Sequence, residues 1–483
     1  MRIVYLDIDS LRPDHMGCYG YNRNTTPNLD KLAAEGVRFN QVYTAASPCA
    51  PSRASFMSGR FGINHGVLTH WGAGCHYEYP EGDGHSKEYP FLPRLLREAD
   101  YRTITFSSFG DRHHAWWYFA GWNEIHTHTL KGGNEDAHEV NAAVLPWIKA
   151  HGAEDNYFLH IQYWDAHSKY TYPTSYAEQF AGEPAPEYPT AEDIARHRQD
   201  THPRSAAFLH WSDDFSKIPQ ATMPLEIADR SDYEKLINGY DGGISYLDKH
   251  IGDLMEAFRE QGVLDEVCFI ISADHAESYG EQGVYLEHGM ATEAVHHIPL
   301  IMKFPGLSKK GHVNDQLHYN VDVVATIADL AGLPKPSGWD GRSLLPALSG
   351  GQVEEDRSFL VLEHGLYACQ RAVRTNKWHY IHTYHEGFYQ LEPHILYDLE
   401  NDPFQRINVA GERPDVIEQL GAELEGWIAE QMEHNLMEQD PMMEIIEDGG
   451  PFRYLKPNDW AGRLERAGRK EEAAAVLERF GTV

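Results

Sequence analysis

Residues 2–9, Arg2-Ile3-Val4-Tyr5-Leu6-Asp7-Ile8-Asp9, set the reading of the fold. A short apolar run ending in acidic residues reads as a buried strand that delivers carboxylates at its carboxyl end. The same pattern recurs along the chain. Residues 103–106 are followed, after a short Ser/Gly loop, by Arg112, His113 and His114. Residues 157–162 are followed by Asp165 and His167, and residues 267–271 by Asp274 and His275. Helical patterns at 26–35, 91–99, 138–149, 232–261 and 321–331 alternate with these runs. Thr26, Pro27 and Gly36 frame the first of them as cap, first turn and stop. Alternating strands and helices predict an α/β chain with a large, mostly parallel sheet covered on both faces. Open sheets of this kind bind ligands beyond the carboxyl ends of their strands, so these separate polar clusters argue for one composite site.

Elsewhere the rhythm changes. Residues 168–225 are rich in Pro, Tyr, Thr, Asp and His. They read as an insertion over the active-site face that carries substrate contacts, with a solvated loop as the alternative. From 356 the pattern turns to short strands near 359–362, 368–373, 378–383 and 395–398, a smaller antiparallel sheet. After 440 comes an acidic Met/Glu/Asp stretch, then an amphipathic helix over 458–479. The expected division is a catalytic unit at 1–355, an antiparallel-sheet subdomain at 356–440 and an acidic, helical extension at 441–483.

Composition narrows the function classes. The 483 residues include 41 basic and 73 acidic side chains, for a formal net charge of −32. Phosphate backbones need a basic surface, so nucleic acid is excluded as a general partner. An anionic substrate must be drawn in by a local field of Arg, His and metal. No run approaches the ~20 apolar residues of a membrane span, so no membrane partner is expected. The first apolar run is shorter than the ~7–15 residues of a signal-peptide core, which makes a cytoplasmic protein the expectation. Cysteines at 18, 49, 75, 268 and 369 form no Cys-x-x-Cys. Reduced thiols, without a disulfide framework or zinc ribbon, follow.

One cysteine stands in a special setting: Cys49-Ala50-Pro51-Ser52-Arg53, with Gly59-Arg60 behind it. A lone cysteine is most often a buried structural thiol. Pro, Ser, Arg, Gly and Arg at these intervals outweigh that reading. The segment resembles the signature of type I, formylglycine-dependent sulfatases of the alkaline phosphatase superfamily. Further elements of that family follow in order. They are Asp9-Ser10-Leu11-Arg12-Pro13-Asp14, Thr26-Pro27-Asn28-Leu29-Asp30, Tyr240-Asp241, Ser272-Ala273-Asp274-His275 and Leu396-Tyr397-Asp398. The resemblance spans about residues 1–410.

It implies an alkaline-phosphatase-like α/β/α sandwich and a sulfuric ester hydrolase. A separate formylglycine-generating maturase would oxidise Cys49, and the aldehyde hydrate would be the nucleophile. A geminal diol keeps a second hydroxyl, so deprotonating it expels sulfate and regenerates the aldehyde. One divalent cation is implied, calcium by an oxygen-rich ligand set, with manganese admitted by an imidazole. Its ligands would be Asp9, Asp274, His275 and residue 49. The family's first strand-end aspartate is Ile8 here. Either Asp7 substitutes for it, or the site uses one carboxylate fewer, as in phosphonate monoester hydrolases. Arg53 and Arg112 take the roles of cations on the sulfuryl group, and His114 that of the histidine beside the nucleophile. His167 stands near the leaving group, and His288 replaces a family lysine. His296 and His297 stay unassigned. Trp116, Trp117, Trp122, Tyr163 and Trp164 read either as core or as a stacking surface for sugars. The expected substrate is a sulfated saccharide or small organic sulfate. Phosphonate monoester or phosphodiester hydrolysis, and a non-catalytic binder of sulfated glycans, are the alternatives.

Overall fold

The computed structural model describes residues 1–78, 88–127, 131–353, 356–433, 435 and 437–481. Its centre is an eight-stranded sheet. The apolar run at the start forms β1 (Arg2–Ile8), followed in chain order by β2 (Val37–Tyr43) and the two-residue β3 (Ala46–Ser47). Next come β4 (Arg102–Phe106), β5 (Glu124–His126), β6 (Tyr157–Tyr163) and β7 (Val267–Ser272). A small hairpin, β8 (Ser278–Tyr279) and β9 (Tyr285–Glu287), precedes β10 (His297–Lys303) and β11 (His312–Tyr319). The order across the large sheet is β11-β2-β10-β7-β1-β6-β4-β5. The four runs read from sequence are its adjacent centre, β7-β1-β6-β4, parallel throughout. Strand β10 runs antiparallel to both its neighbours, so the sheet is mixed.

Helices cover both faces. One layer holds α1 (Pro27–Glu35), α4 (Ala137–His151) and α5 (Arg230–Glu260); the other holds α2 (Cys49–Ser58), α3 (Leu92–Glu98) and α6 (Asn320–Leu330). All seven residues of β6 are buried, because helices lie on both faces of the sheet.

A second sheet is built from β12 (Phe359–His364), β13 (Cys369–Thr375), β14 (Trp378–His385) and β15 (His394–Asp398), antiparallel neighbours in sequence order. Helix α7 (Pro414–Glu433) packs on it. Its inner edge is β3, which runs parallel to β12 through Ala46 and Ser47. The small sheet therefore holds the backbone two residues before Cys49.

The final segment forms α8 (Pro441–Glu447), α9 (Pro457–Arg466) and α10 (Lys470–Phe480). The single helix expected over 458–479 is thus two. Gly468, at φ 81°, turns the chain between them where a side chain would be strained. Residues 168–225 hold two short α-helices, Ser175–Glu178 and Ala191–His197, and a single 3-10 turn, Phe215–Lys217, in otherwise irregular chain. No helix among the described residues is long and apolar enough to cross a membrane.

Candidate active site

Cys49 opens helix α2, 1% exposed, at the inner end of a cavity of about 250 Å³. All ten residues of that helix are buried. The motif's small residues anchor it. Ser52 Oγ donates to the Asp274 carbonyl (2.5 Å) and accepts from Thr44 Oγ1 (2.8 Å), so the nucleophile helix is fixed to the end of β7. Before it, Ser47 Oγ sits 2.9 Å from both His296 Nε2 and His364 Nδ1. The roles follow from the outer partners. His296 Nδ1 donates to the Thr44 carbonyl, leaving Nε2 as acceptor. His364 Nε2 accepts from the Tyr367 amide, so its Nδ1 donates to Ser47. His296, unassigned from sequence, is thereby a clamp on the nucleophile loop.

Asp9, Cys49, Asp274 and His275 bring their donor atoms within 4.8 Å of one another, and all four are buried. His275 Nδ1 donates to the Ala276 carbonyl (2.8 Å), which turns the Nε2 lone pair toward Cys49 Sγ at 3.1 Å. Burial pushes the Asp274 carboxyl well above the usual range; Arg53 opposes this, and Asp9 and Asp7 add to it. Burial also works against Asp9, but Arg53, His167 and His275 outweigh it and hold Asp9 below the usual range. Two buried carboxylates, an imidazole and the side chain of residue 49 form a donor set that fits a divalent cation.

Asp7 stands outside that group. Its Oδ2 accepts from Arg53 Nε (2.9 Å) and faces His160 Nε2 at 3.4 Å. The guanidinium of Arg53 also reaches Asp9 (3.1 Å) and Asp274, lies over the Phe109 ring, and keeps a buried NH2 with no protein partner among the described residues. Arg112 lies over the Trp164 ring at 4.9 Å and donates toward His167 Nε2 (3.4 Å). His167 Nδ1 donates to the Ser168 carbonyl, and burial, with Arg112, pushes its pKa down to about 3. His288 packs on His275 with ring centroids 4.2 Å apart. Burial, then His275, His167 and His70, hold it well below the usual histidine range.

The expectation for His114 shifts by one residue. His114 is exposed, at φ 52°, and does not line the cavity, whereas His113 does. The short helix Phe109–Arg112 ends at this point and turns the two side chains apart. His113 lies against His70 (4.4 Å between centroids), and both cluster with Cys49. The aromatic residues left open between core and stacking surface divide as follows. Trp117, Trp122, Tyr163 and Trp164 are core, and the exposed Trp116 is outside the cavity lining. The rings that do line it are Trp71, Trp211, Tyr367 and Tyr454. His70 and Trp71 form a polar-aromatic pair shortly after the cysteine motif, a signal that was present; Tyr367 and Tyr454 carry none.

With this geometry in place, comparison with known proteins gives the family. A model described as Sulfatase matches residues 2–333, and one described as N-sulphoglucosamine sulphohydrolase, C-terminal, matches residues 280–433. A choline-sulfatase of Rhizobium meliloti is 26% identical over 80% of this chain and 77% of its own length. An N-acetylglucosamine-6-O-sulfatase of Bacteroides thetaiotaomicron is 22% identical over 85% of this chain and 82% of its own. Among solved structures, a complex with the substrate D-glucosamine-2-N,6-O-disulfate has a TM-score of 0.74 at 18% identity, covering 91% of this chain and 99% of that one. A phosphonate monoester hydrolase from Silicibacter pomeroyi has a TM-score of 0.71 at 21% identity, covering 90% and 96%. The fold is thus that of the alkaline-phosphatase-like sulfatases, and the chain belongs to the sulfatase family of enzymes.

Proposed function

We propose that the chain hydrolyses sulfate monoesters of a sugar or small alcohol through a formylglycine hydrate at position 49, installed by a maturase. The observation that carries this is the place of residue 49. It is buried at the cavity's inner end, within reach of a two-carboxylate, one-imidazole donor set. Asp9, Asp274, His275 and residue 49 would hold one divalent cation, calcium by their oxygen-rich character, with manganese admitted by the imidazole. When bound, such a cation supplies Lewis-acid stabilisation of negative charge.

The chain's own residues then divide the work. Arg53 and Arg112 hold the sulfuryl oxygens. Asp7, joined to Arg53, fixes that guanidinium and is a positioning residue. One hydroxyl of residue 49 passes its proton to Asp274 as its oxygen attacks sulfur, and the bond from sulfur to the leaving oxygen breaks. His167 or His288 gives the leaving oxygen its proton; the charge of the bound sulfuryl group offsets the burial that depresses both imidazoles. His113 removes the proton of the remaining hydroxyl, the bond from carbon to the sulfate oxygen breaks, and the aldehyde re-forms. Water adds to restore the hydrate. The relatives' names, choline-sulfatase and N-acetylglucosamine-6-O-sulfatase, support small alcohols and sugars as leaving groups.

Phosphonate monoester hydrolysis is the second reading, favoured by the missing carboxylate at Ile8 and by Asp7 lying outside the donor group. Paired aryl sulfates and phosphonates separate the two by kcat/KM. For the leading reading, co-expression with a maturase should convert Cys49, read by intact mass. Cys49→Ala should stay folded and lose nearly all turnover. Wild-type rates in Cys49→Ala would overturn the mechanism.

A further inference from the structure

Residue 49 belongs to two donor sets. The first, with Asp9, Asp274 and His275, is oxygen-rich and has been described above. In the second, His70 and His113 each bring a ring nitrogen to within 4.8 Å of Cys49 Sγ and of one another. The two imidazoles come from separate stretches. His70 lies beyond the nucleophile helix, and His113 follows the short helix Phe109–Arg112. Their rings meet at 4.4 Å with 54° between the planes, so they converge rather than stack.

The lone pairs of these imidazoles are not consumed by strong bonds within the protein. His113 keeps a buried Nε2 with no hydrogen-bond partner among the described residues, a costly state for a polar atom. The Ala50 amide donates to His70 Nε2 over a long 3.3 Å, so that nitrogen carries its lone pair at the start of helix α2, next to Cys49. Cys49, His70 and His113 all line the cavity of about 250 Å³, which gives an ion a way in. Trp71, Trp211, Tyr367 and Tyr454 form its mouth, where Trp71 and Tyr454 are exposed.

The surrounding charges are mixed. Arg112 and Arg204 line the cavity and repel an added cation; Glu277 and Glu287 line it too, Glu287 paired with Arg204 at 3.3 Å. The charge that matters is made on the spot. Metal binding replaces the thiol proton, so ligation creates a thiolate in contact with the ion and releases one proton.

We propose that the chain with Cys49 unconverted binds one thiophilic divalent cation, zinc foremost, through Cys49, His70 and His113. Removing the sulfur, as conversion to formylglycine does, abolishes the site. A thiolate and two imidazoles suit zinc, which takes three protein ligands and leaves a fourth position to water. Tetrahedral zinc bonds of about 2.0–2.3 Å set their donors about 3.3–3.6 Å apart, so a spread of up to 4.8 Å closes by side-chain rotation. The oxygen-rich set suits calcium instead. The chemical identity of residue 49 thus selects the ion, and loss of the sulfur frees His113 for proton transfer. This site concerns the thiol form and stands apart from the sulfate-ester reading.

The test uses full-length protein expressed without a maturase and stripped of metal by chelation. Isothermal titration with zinc should show one ion per chain. Cys49→Ala, His70→Ala and His113→Ala should each weaken binding at least about 100-fold, beyond the cost of disturbing a metal's outer shell. Asp9→Asn, which alters only the oxygen-rich set, should stay within about threefold. Cobalt as a second probe should give a sulfur-to-metal charge-transfer band in the near ultraviolet. That band should be absent in Cys49→Ala and in protein whose conversion by a co-expressed maturase is verified by mass. His70→Gln and His113→Asn, closer in shape, replace any alanine variant that fails to fold. Wild type that binds neither ion, or that binds cobalt without the band, would overturn the site. So would zinc affinity unchanged in the histidine variants, or lost in Asp9→Asn alone, which would place the ion among the carboxylates. Turnover of sulfate esters by converted protein is measured separately; its absence would sink the proposed reaction and leave the zinc site standing.

Discussion

His113 and His114 are adjacent and chemically identical, yet the fold gives them opposite settings. His113 faces the cavity beside His70 and residue 49, and His114 faces out. His113→Ala should therefore lower kcat by roughly 10²- to 10⁴-fold, the usual weight of a general base, while His114→Ala stays within about twofold. Matched losses in steady-state kinetics would reject the assignment. A second residue-scale consequence concerns Asp165. Its Oδ1 accepts from the Ala137 amide (3.0 Å), and its buried Oδ2 has no partner among the described residues. Burial pushes its pKa up to about 8. A carboxyl raised above its unfolded value of about 3.9 favours the fold while protonated. Its contribution is complete below about pH 4 and is lost as pH rises toward 8, by up to ~1.4 kcal/mol per unit. Asp165→Asn should remove that slope. Tm measured from pH 5 to 8.5 should show the variant gaining on wild type as pH rises; parallel curves would reject the reading.

At the scale of elements, sequence legibility followed how each element is buried. The central strands were readable because helices on both faces bury them, so each holds a short apolar run, and because a polar cluster follows each run. Strand β2, Val37-Arg38-Phe39-Asn40-Gln41-Val42-Tyr43, and the edge strand β11 went unrecognised because polar residues interrupt them. Helix boundaries came within a few residues where a cap or a glycine marked them, and failed at Gly468, where one amphipathic pattern covers two helices. Cys49, Asp9, Asp274 and His275 were legible because strand ends and a motif place them. The rings of the mouth were not, since only tertiary packing brings them together. The Tyr240-Asp241 pair shows a motif with an element-scale purpose. Buried in α5, Asp241 accepts from His15 (2.6 Å), Tyr21 (2.6 Å) and Arg23 (2.7 Å), tying the loop after β1 to the helix. Arg23 in turn donates to the carbonyls of Glu183 and Pro184 in the insertion. Asp241→Ala leaves a buried guanidinium without its counter-ion, so a loss of about 3–5 kcal/mol is expected in denaturant unfolding. Asp241→Asn, which keeps an acceptor, should lose less. A cost below ~1 kcal/mol for the alanine variant would show that the network is dispensable.

At the scale of the molecule, the charges oppose the chemistry. A net charge of −32 surrounds a pocket that must admit an anion. The attraction comes from Arg53, Arg112 and Arg204 in the cavity region, with Arg53 almost wholly buried, and from the cation proposed between Asp9, Asp274, His275 and residue 49. These two fields respond differently to salt. Surface charges act over a screening length of ~30 Å at 0.01 M but only ~8 Å at 0.15 M, whereas buried charges are screened far less. Raising ionic strength across that range should therefore weaken the repulsion more than the capture. KM for a monosulfated substrate should fall by roughly twofold or more while kcat holds, and the fall should be larger for a substrate with several sulfates. An enzyme that gathers its anions with a basic surface shows the opposite trend. A KM that climbs with salt for both substrates would mean that long-range attraction outweighs the acidic surface, and that the pocket's cations reach further than their burial allows.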